Sequence, residues 1–194
     1  MVTYADRPWI KNYDAGVPET LHPYPEATIS GLLQQTARKH PDHTALITDA
    51  TLPVLGHSSH RLSYRQLDET SDAMAAALVD MGLQKGDRVA IVMPNISSFV
   101  IAYYGVLKAG GVAVATNPIY PAKKMQYQIN DCDAEIVITV TLFYKMIKEI
   151  QPGTKTKHVI VANVKDHLPG LAKFLFSKTM EKKAGHYIEQ VEAG

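Results

Sequence analysis

Cysteine is almost absent: Cys132 stands alone in a chain of 194 residues. A single thiol excludes an intramolecular disulfide and any zinc site built from several thiolates. An excess of one charge is missing as well. Twenty Lys and Arg face 19 Asp and Glu, a net charge of +1, which argues against the basic stripe of a nucleic-acid-binding protein. One charge-free run, Val89–Leu107, comes close to the ~20 residues that a bilayer span needs. Met93-Pro94-Asn95 and Ser97-Ser98 interrupt it, so it reads as a buried strand followed by a helix. No secretory leader is visible, because Met1 to Arg7 lead into no apolar core, and the expected location is cytoplasmic. Familiar phosphate devices are missing: no G-x-G-x-x-G follows a strand, and no G-x-x-x-x-G-K-[ST] or G-x-S-x-G occurs.

What is present is ordinary globular material, with 46% hydrophobic and 20% charged residues. At this size roughly 70% of the unfolded surface can be buried without staples. Residues 1–27 are rich in Pro and aromatics, among them Trp9, Tyr13 and Tyr24. That segment is expected to run extended, pinned to the surface by those rings. Ile29, Leu32, Leu33 and Ala37 share one helical face that Pro41 stops. Thr44–Asp49 reads as a strand, and a second short one falls around Arg61–Ser63. Ser63 and Gln66 form a capping box for a helix over Tyr64–Met81, which Gly82 ends.

Beyond it the pattern is regular. Arg88–Met93 is an apolar run covered on both faces, and a helix follows over Ile96–Ala109. Val112–Thr116 is another buried strand, and Pro121 suits the first turn of a helix ending near Asp131. Glu135–Val140 is a strand, Thr141 can cap a helix over Leu142–Ile150, and His158–Ala162 is the last strand. Alternating strands and helices predict an α/β core over 28–163, a mainly parallel, doubly wound sheet with helices on both faces. Residues 164–194 form the third segment. Their part of the chain is basic, with nine Lys against five Asp and Glu over 141–194. Leu168, Leu171, Phe174, Leu175, Phe176 and Met180 interleave with Lys173, Lys178, Lys182 and Lys183. One reading is a basic amphipathic helix on an anionic membrane; the plainer one is a surface helix packed on its own protein.

The titratable residues offer little chemistry. His57 and His60 sit in a Gly/Ser loop with no nearby carboxylate, so solvated histidines are expected and no metal site. Cys132 lies between Asp131 and Asp133, which disfavours a thiolate.

Several collinear segments carry a family resemblance. Arg7-Pro8-Trp9, Gly16-Val17-Pro18 and Tyr24-Pro25 resemble the lead-in of long-chain fatty-acid–CoA ligases. Leu62-Ser63-Tyr64-Arg65-Gln66-Leu67 is similar to the first core motif of adenylate-forming enzymes. Gly86-Asp87-Arg88-Val89-Ala90 with Met93-Pro94-Asn95 resembles the next family segment, and Leu107-Lys108-Ala109-Gly110-Gly111 through Asn117-Pro118 and Tyr120 the second core motif. The resemblance implies the fold of the N-terminal subdomain and a two-step ligase. Fatty acid and Mg·ATP give an acyl-adenylate and pyrophosphate, and coenzyme A then displaces AMP. The family's S-G-T-T-G-x-P-K-G loop, its later adenine- and ribose-binding motifs and its lysine-bearing lid have no counterpart here. The chain is therefore expected to be the first part of such an enzyme, with no catalytic residue of its own, inactive alone and binding no cofactor tightly.

One binding role carries over from the resemblance. Related ligases shield the CoA adenine with the segment after the second core motif and meet the 3′-phosphate with two basic residues three apart. These positions correspond to Asn117, Pro118 and Ile119, and to Lys145 and Lys148. Spacing i, i+3 puts both ammonium groups on one helix face; the plainer reading is that they solvate an amphipathic helix. The resemblance also implies fatty acid and CoA as partners of the whole enzyme, and no nucleic acid. A homo-oligomer is expected from apolar surface left uncovered, with peripheral contact of 168–183 against the inner face of the membrane. The alternative is a free-standing, non-catalytic module of the same fold that binds an acyl-CoA, a membrane or a partner ligase.

Overall fold

The computed structural model describes residues 3–24, 26–52, 56–168, 170–179, 181, 182 and 185–188. Among its described residues the lead-in holds two short 3₁₀ turns, Tyr4–Asp6 and Ile10–Asn12. Its aromatics do not pin it down. Tyr4 packs on Trp9 with ring centroids 5.1 Å apart, and Tyr4, Trp9, Tyr13 and Tyr24 are all exposed, because Pro-rich backbone carries no periodic face to lay against a core.

Thr28 accepts a hydrogen bond from the Gly31 amide and so opens helix α1 (Ile29–Lys39). Leu33 and Ala37 are buried as expected, but Ile29 and Leu32 stay largely exposed, so the covered stripe is narrower than the apolar one. Strands β1 (Thr44–Leu52) and β2 (Gly56–Ser63) pair antiparallel as a separate two-stranded sheet. Both are longer than expected, and His57 and His60 lie in a strand and not in a loop. Ladder pairing with β1 recruits the polar run Gly56–His60. The capping box is formed: the Gln66 amide donates to Ser63 Oγ at 3.2 Å, and the Ser63 amide to Gln66 Oε1 at 2.9 Å. It starts helix α2 (Tyr64–Asp80). Gly82, at φ 93°, ends α2 with paired bonds from Gly82 N to Val79 O and Leu83 N to Leu78 O.

Strands β3 (Arg88–Val92), β4 (Val112–Thr116), β5 (Ile136–Val140) and β6 (His158–Ala162) build a wholly parallel sheet in the order β4-β3-β5-β6. The alternation within β3 decides the layers. Val89, Ile91 and Met93 point to helix α2 and helix α3 (Ser97–Lys108) on one face. Ala90 and Val92 point to helices α4 (Ala122–Asp131) and α5 (Thr141–Ile150) on the other. Burial on both faces is why β3 and β5 read as continuous apolar runs. Val112–Thr116 corrects the expectation of a buried strand: β4 is an edge, and Val112 is 46% exposed. Pro121 stands one residue before α4, not within it, and Val140 rather than Thr141 precedes α5.

Where α2 crosses α3, Gly105 faces Ser71 and Met74, and Ser71 is fully buried. Lys108 fastens the same pair of helices, donating to the Asp68 carbonyl at 2.8 Å and to Asp72 at 2.7 Å. After β6, a 3₁₀ turn (Val164–His167) leads to helix α6 (Gly170–Thr179). Here Leu168 and Phe176 are buried, and Phe174, 59% exposed, remains as an open apolar ring.

A methyl added at Gly105 would collide with Met74 Cγ and lie 2.7 Å from its Cβ. Overpacking costs about 1–3 kcal/mol, against the ~1 kcal/mol that Ala gains over Gly in a helix. Gly105→Ala is therefore expected to lower the denaturation midpoint, and Met74→Ala in the same chain to recover part of the loss. A single variant as stable as the parent would show that the crossing has slack.

Candidate functional site

A parallel sheet binds ligands at the carboxyl ends of its strands, where successive connections leave to opposite faces. Here the connection after β3 runs through α3 on one face and that after β4 through α4 on the other. Between these strand ends lies a cavity of about 430 Å³ lined by Met93, Asn95, Phe99, Thr116, Asn117 and Pro118, among others. Its floor is held by the loop's own chemistry. Asn117 Oδ1 accepts from the Ile119 amide at 3.1 Å and the Asn117 carbonyl from the Tyr120 amide at 3.2 Å, an Asx-type turn. That turn thrusts Ile119 outward, 80% exposed, and Lys124 covers the ring of Tyr120 at 3.8 Å.

The other pair of expected binding residues sits on α5, which starts at the carboxyl end of β5. Tyr144, Ile147 and Ile150 are the buried face of this helix; Lys145 is exposed and Lys148 half-buried. Both groups of residues therefore lie on connections leaving the same end of the sheet. Helix α4 follows the 117–119 loop and packs beside α5, so the two groups share an edge but not one cavity.

Sequence reasoning passed over Thr139. This hydroxyl is fully buried and donates to the Val92 carbonyl at 2.8 Å, tying β5 to the last carbonyl of β3. A lone Thr inside the apolar run Ile136–Val140 was the available signal. Thr141 was expected to cap α5; instead its hydroxyl bonds His186 Nδ1 at 3.0 Å.

The amino end of the sheet holds a second cavity, about 350 Å³, ringed by charge. Arg88 and Lys155 both meet Asp133, and Lys157 meets Glu135. These pairs answer one another, and Arg88 Nε also donates to the Cys132 carbonyl at the end of α4, so the cluster closes loops. Lys155 holds the Asp133 carboxyl below the usual range. The Cys132 thiol is pushed up, chiefly by burial, with Asp131 adding a smaller rise, which disfavours the thiolate. Among the described residues no group of three or more His, Cys, Asp and Glu is placed to hold a metal ion, and no helix is long and apolar enough to cross a membrane.

Residues 33–189 match the family model described as AMP-binding enzyme. The chain belongs to the AMP-binding enzyme family, and its sheet with two helical layers is the fold of that family's N-terminal part. Among curated relatives, a long-chain-fatty-acid–CoA ligase of Bacillus subtilis is 32% identical over 179 residues, 92% of this chain and 30% of the relative. One of Yersinia pestis is 32% identical over 84% of this chain and 28% of its own length. Among solved structures, the N-terminal domain of FACL13 from Mycobacterium tuberculosis superposes with a TM-score of 0.58 at 28% identity, over 87% of this chain and 39% of that one. A long-chain-fatty-acid-CoA ligase, FadD1 from Archaeoglobus fulgidus, superposes at 0.66 with 21% identity, over 77% and 30%. The chain thus spans under a third of the length of these curated relatives.

Thr139→Val keeps shape and removes the donor to a buried carbonyl, for which an unmet acceptor costs about 1–3 kcal/mol. Urea denaturation should show a loss in that range with an unchanged slope. No loss would mean that the Val92 carbonyl has another partner.

Proposed function

We propose that this chain supplies the N-terminal α/β portion of an ATP-dependent long-chain fatty-acid–CoA ligase. The observation that supports it most is the match of residues 33–189 to the AMP-binding family, joined to relatives named as such ligases. The whole enzyme would take fatty acid, Mg·ATP and coenzyme A to acyl-CoA, AMP and pyrophosphate. In that reaction a protein mainly positions phosphates and stabilises charge on the transferring group. These 194 residues contain no S-G-T-T-G-x-P-K-G loop, so by themselves they do not adenylate a fatty acid.

Their binding contribution is to coenzyme A. Asn117, Pro118 and Ile119 shield the adenine, since the Asx-type turn presents backbone and an apolar side chain outward. Lys145 and Lys148, one helical turn apart, meet the 3′-phosphate as two point charges. The reading places the protein in the cytoplasm, as a homo-oligomer through apolar surface such as the exposed edge β4. Among the described residues of 168–183, the exposed Phe174 with Lys173 and Lys178 would meet a membrane surface.

The test replaces the matching segment of the Bacillus subtilis relative with residues 1–194. The chimaera should form acyl-CoA from a long-chain fatty acid, and Lys145→Ala with Lys148→Ala should raise KM for CoA about tenfold while leaving that for dephospho-CoA unchanged. A folded chimaera without activity contradicts the assignment. An equal effect on both thiols contradicts the role of the lysines.

A further inference from the structure

A polar cluster at the carboxyl ends of β5 and β6 is unused by the reading above. Glu181, only 7% exposed, accepts from Lys165 Nζ at 2.6 Å and Asn163 Nδ2 at 3.1 Å on the same oxygen. Five residues on, the His186 amide donates to the Glu181 carbonyl at 2.9 Å, and the Glu181 amide donates to the Phe176 carbonyl at 2.9 Å. The His186 ring then reaches across to the first residue of α5, where its Nδ1 meets Thr141 Oγ1 at 3.0 Å. Its other neighbour is the ring of Phe176, 5.8 Å away between centroids. Gly185 comes down beside Leu142. The segment thus lies over the sheet edge at which parallel sheets take ligands, and it holds on through one buried ion pair and one imidazole.

We propose that residues 181, 182 and 185–188 belong to an acid-released strap over the carboxyl ends of β5 and β6, with the Thr141–His186 hydrogen bond as its catch. The groups facing His186 make the catch sensitive to charge. From α5 comes Thr141, uncharged, and from α6 the ring of Phe176. The slot that His186 lines is also lined by Lys165 from the turn after β6 and, from the strap itself, by Glu181 and by Tyr187, whose ring carries Lys182 at 4.4 Å. The only nearby anion among these described groups is already committed to Lys165 and Asn163. A proton on His186 would place a second cation in a half-buried slot whose carboxylate is shared out.

The direction of titration agrees. Burial lowers the His186 pKa, the Glu181 charge opposing it in part, so the docked ring is neutral. A base with a depressed pKa holds full stability above its unfolded value of about 6.5 and loses it as pH falls below that. Glu181 is shifted down by its hydrogen bond to Lys165. Its contribution persists until pH falls below about 4, so the window from 7.5 to 5.5 isolates the imidazole.

Amide hydrogen exchange on this chain, corrected for intrinsic rates, reads the strap directly at the Glu181 and His186 amides. Protection there should fall about fivefold between pH 7.5 and 5.5, the worth of one ordinary hydrogen bond, while the β5 amides stay unchanged. His186→Asn keeps a polar partner for Thr141 and cannot titrate, so its protection should be flat over the same range. The midpoint in the parent chain should coincide with the His186 imidazole titration followed by NMR. Protection that is constant in the parent, a pH-dependent loss that survives in His186→Asn, or an imidazole that titrates with no change in protection would overturn the proposal.

Discussion

Burial of β3 and β5 on both faces is the constraint on which the rest depends. Every residue of β5 and the last four of β3 are buried, and each fully buried Val or Ile contributes about 1.5–3 kcal/mol. A strand covered on both sides needs two helical layers, and in a parallel sheet the connecting helices supply them. That arrangement brings the carboxyl ends of β3, β4 and β5 to one edge, and with them Asn117, Thr141 and the start of α5. Thr139 finishes the edge by answering the last carbonyl of β3. The site is a consequence of the layering.

The two ends of the sheet divide the work. At the amino end, charges meet charges: Arg88, Lys155 and Lys157 with Asp133 and Glu135. Exposed pairs of this kind add little to stability, about 0–1 kcal/mol each. At the carboxyl end the loop after β4 turns an apolar side chain outward and Lys145 stands in solvent, the kind of surface on which function is grafted onto a common fold.

Much of the sheet was legible because its central strands are near-continuous apolar runs bounded by turns. Arg88–Met93 and Glu135–Val140 announce themselves, and Ser63 with Gln66 marks the start of α2 to the residue. Strand order was not legible. Val112–Thr116 looks as buried as its neighbours, yet it is an edge, since nothing in five small apolar residues says which strands flank them. The start of β2 was hidden because Gly56–His60 has no apolar alternation; its pairing with β1 makes it a strand. For the site, the i, i+3 spacing of Lys145 and Lys148 was visible, but not that α4 would stand beside them. Thr141 was read locally, whereas its partner, His186, lies 45 positions away.

The proposed function makes this chain the scaffold of an adenylate-forming ligase whose phosphate chemistry would reside in other segments. The most direct measurement is ATP–pyrophosphate exchange by residues 1–194 alone, with long-chain fatty acid and Mg²⁺ present. The account predicts no exchange above that of boiled protein, and sustained exchange dependent on the fatty acid would contradict it.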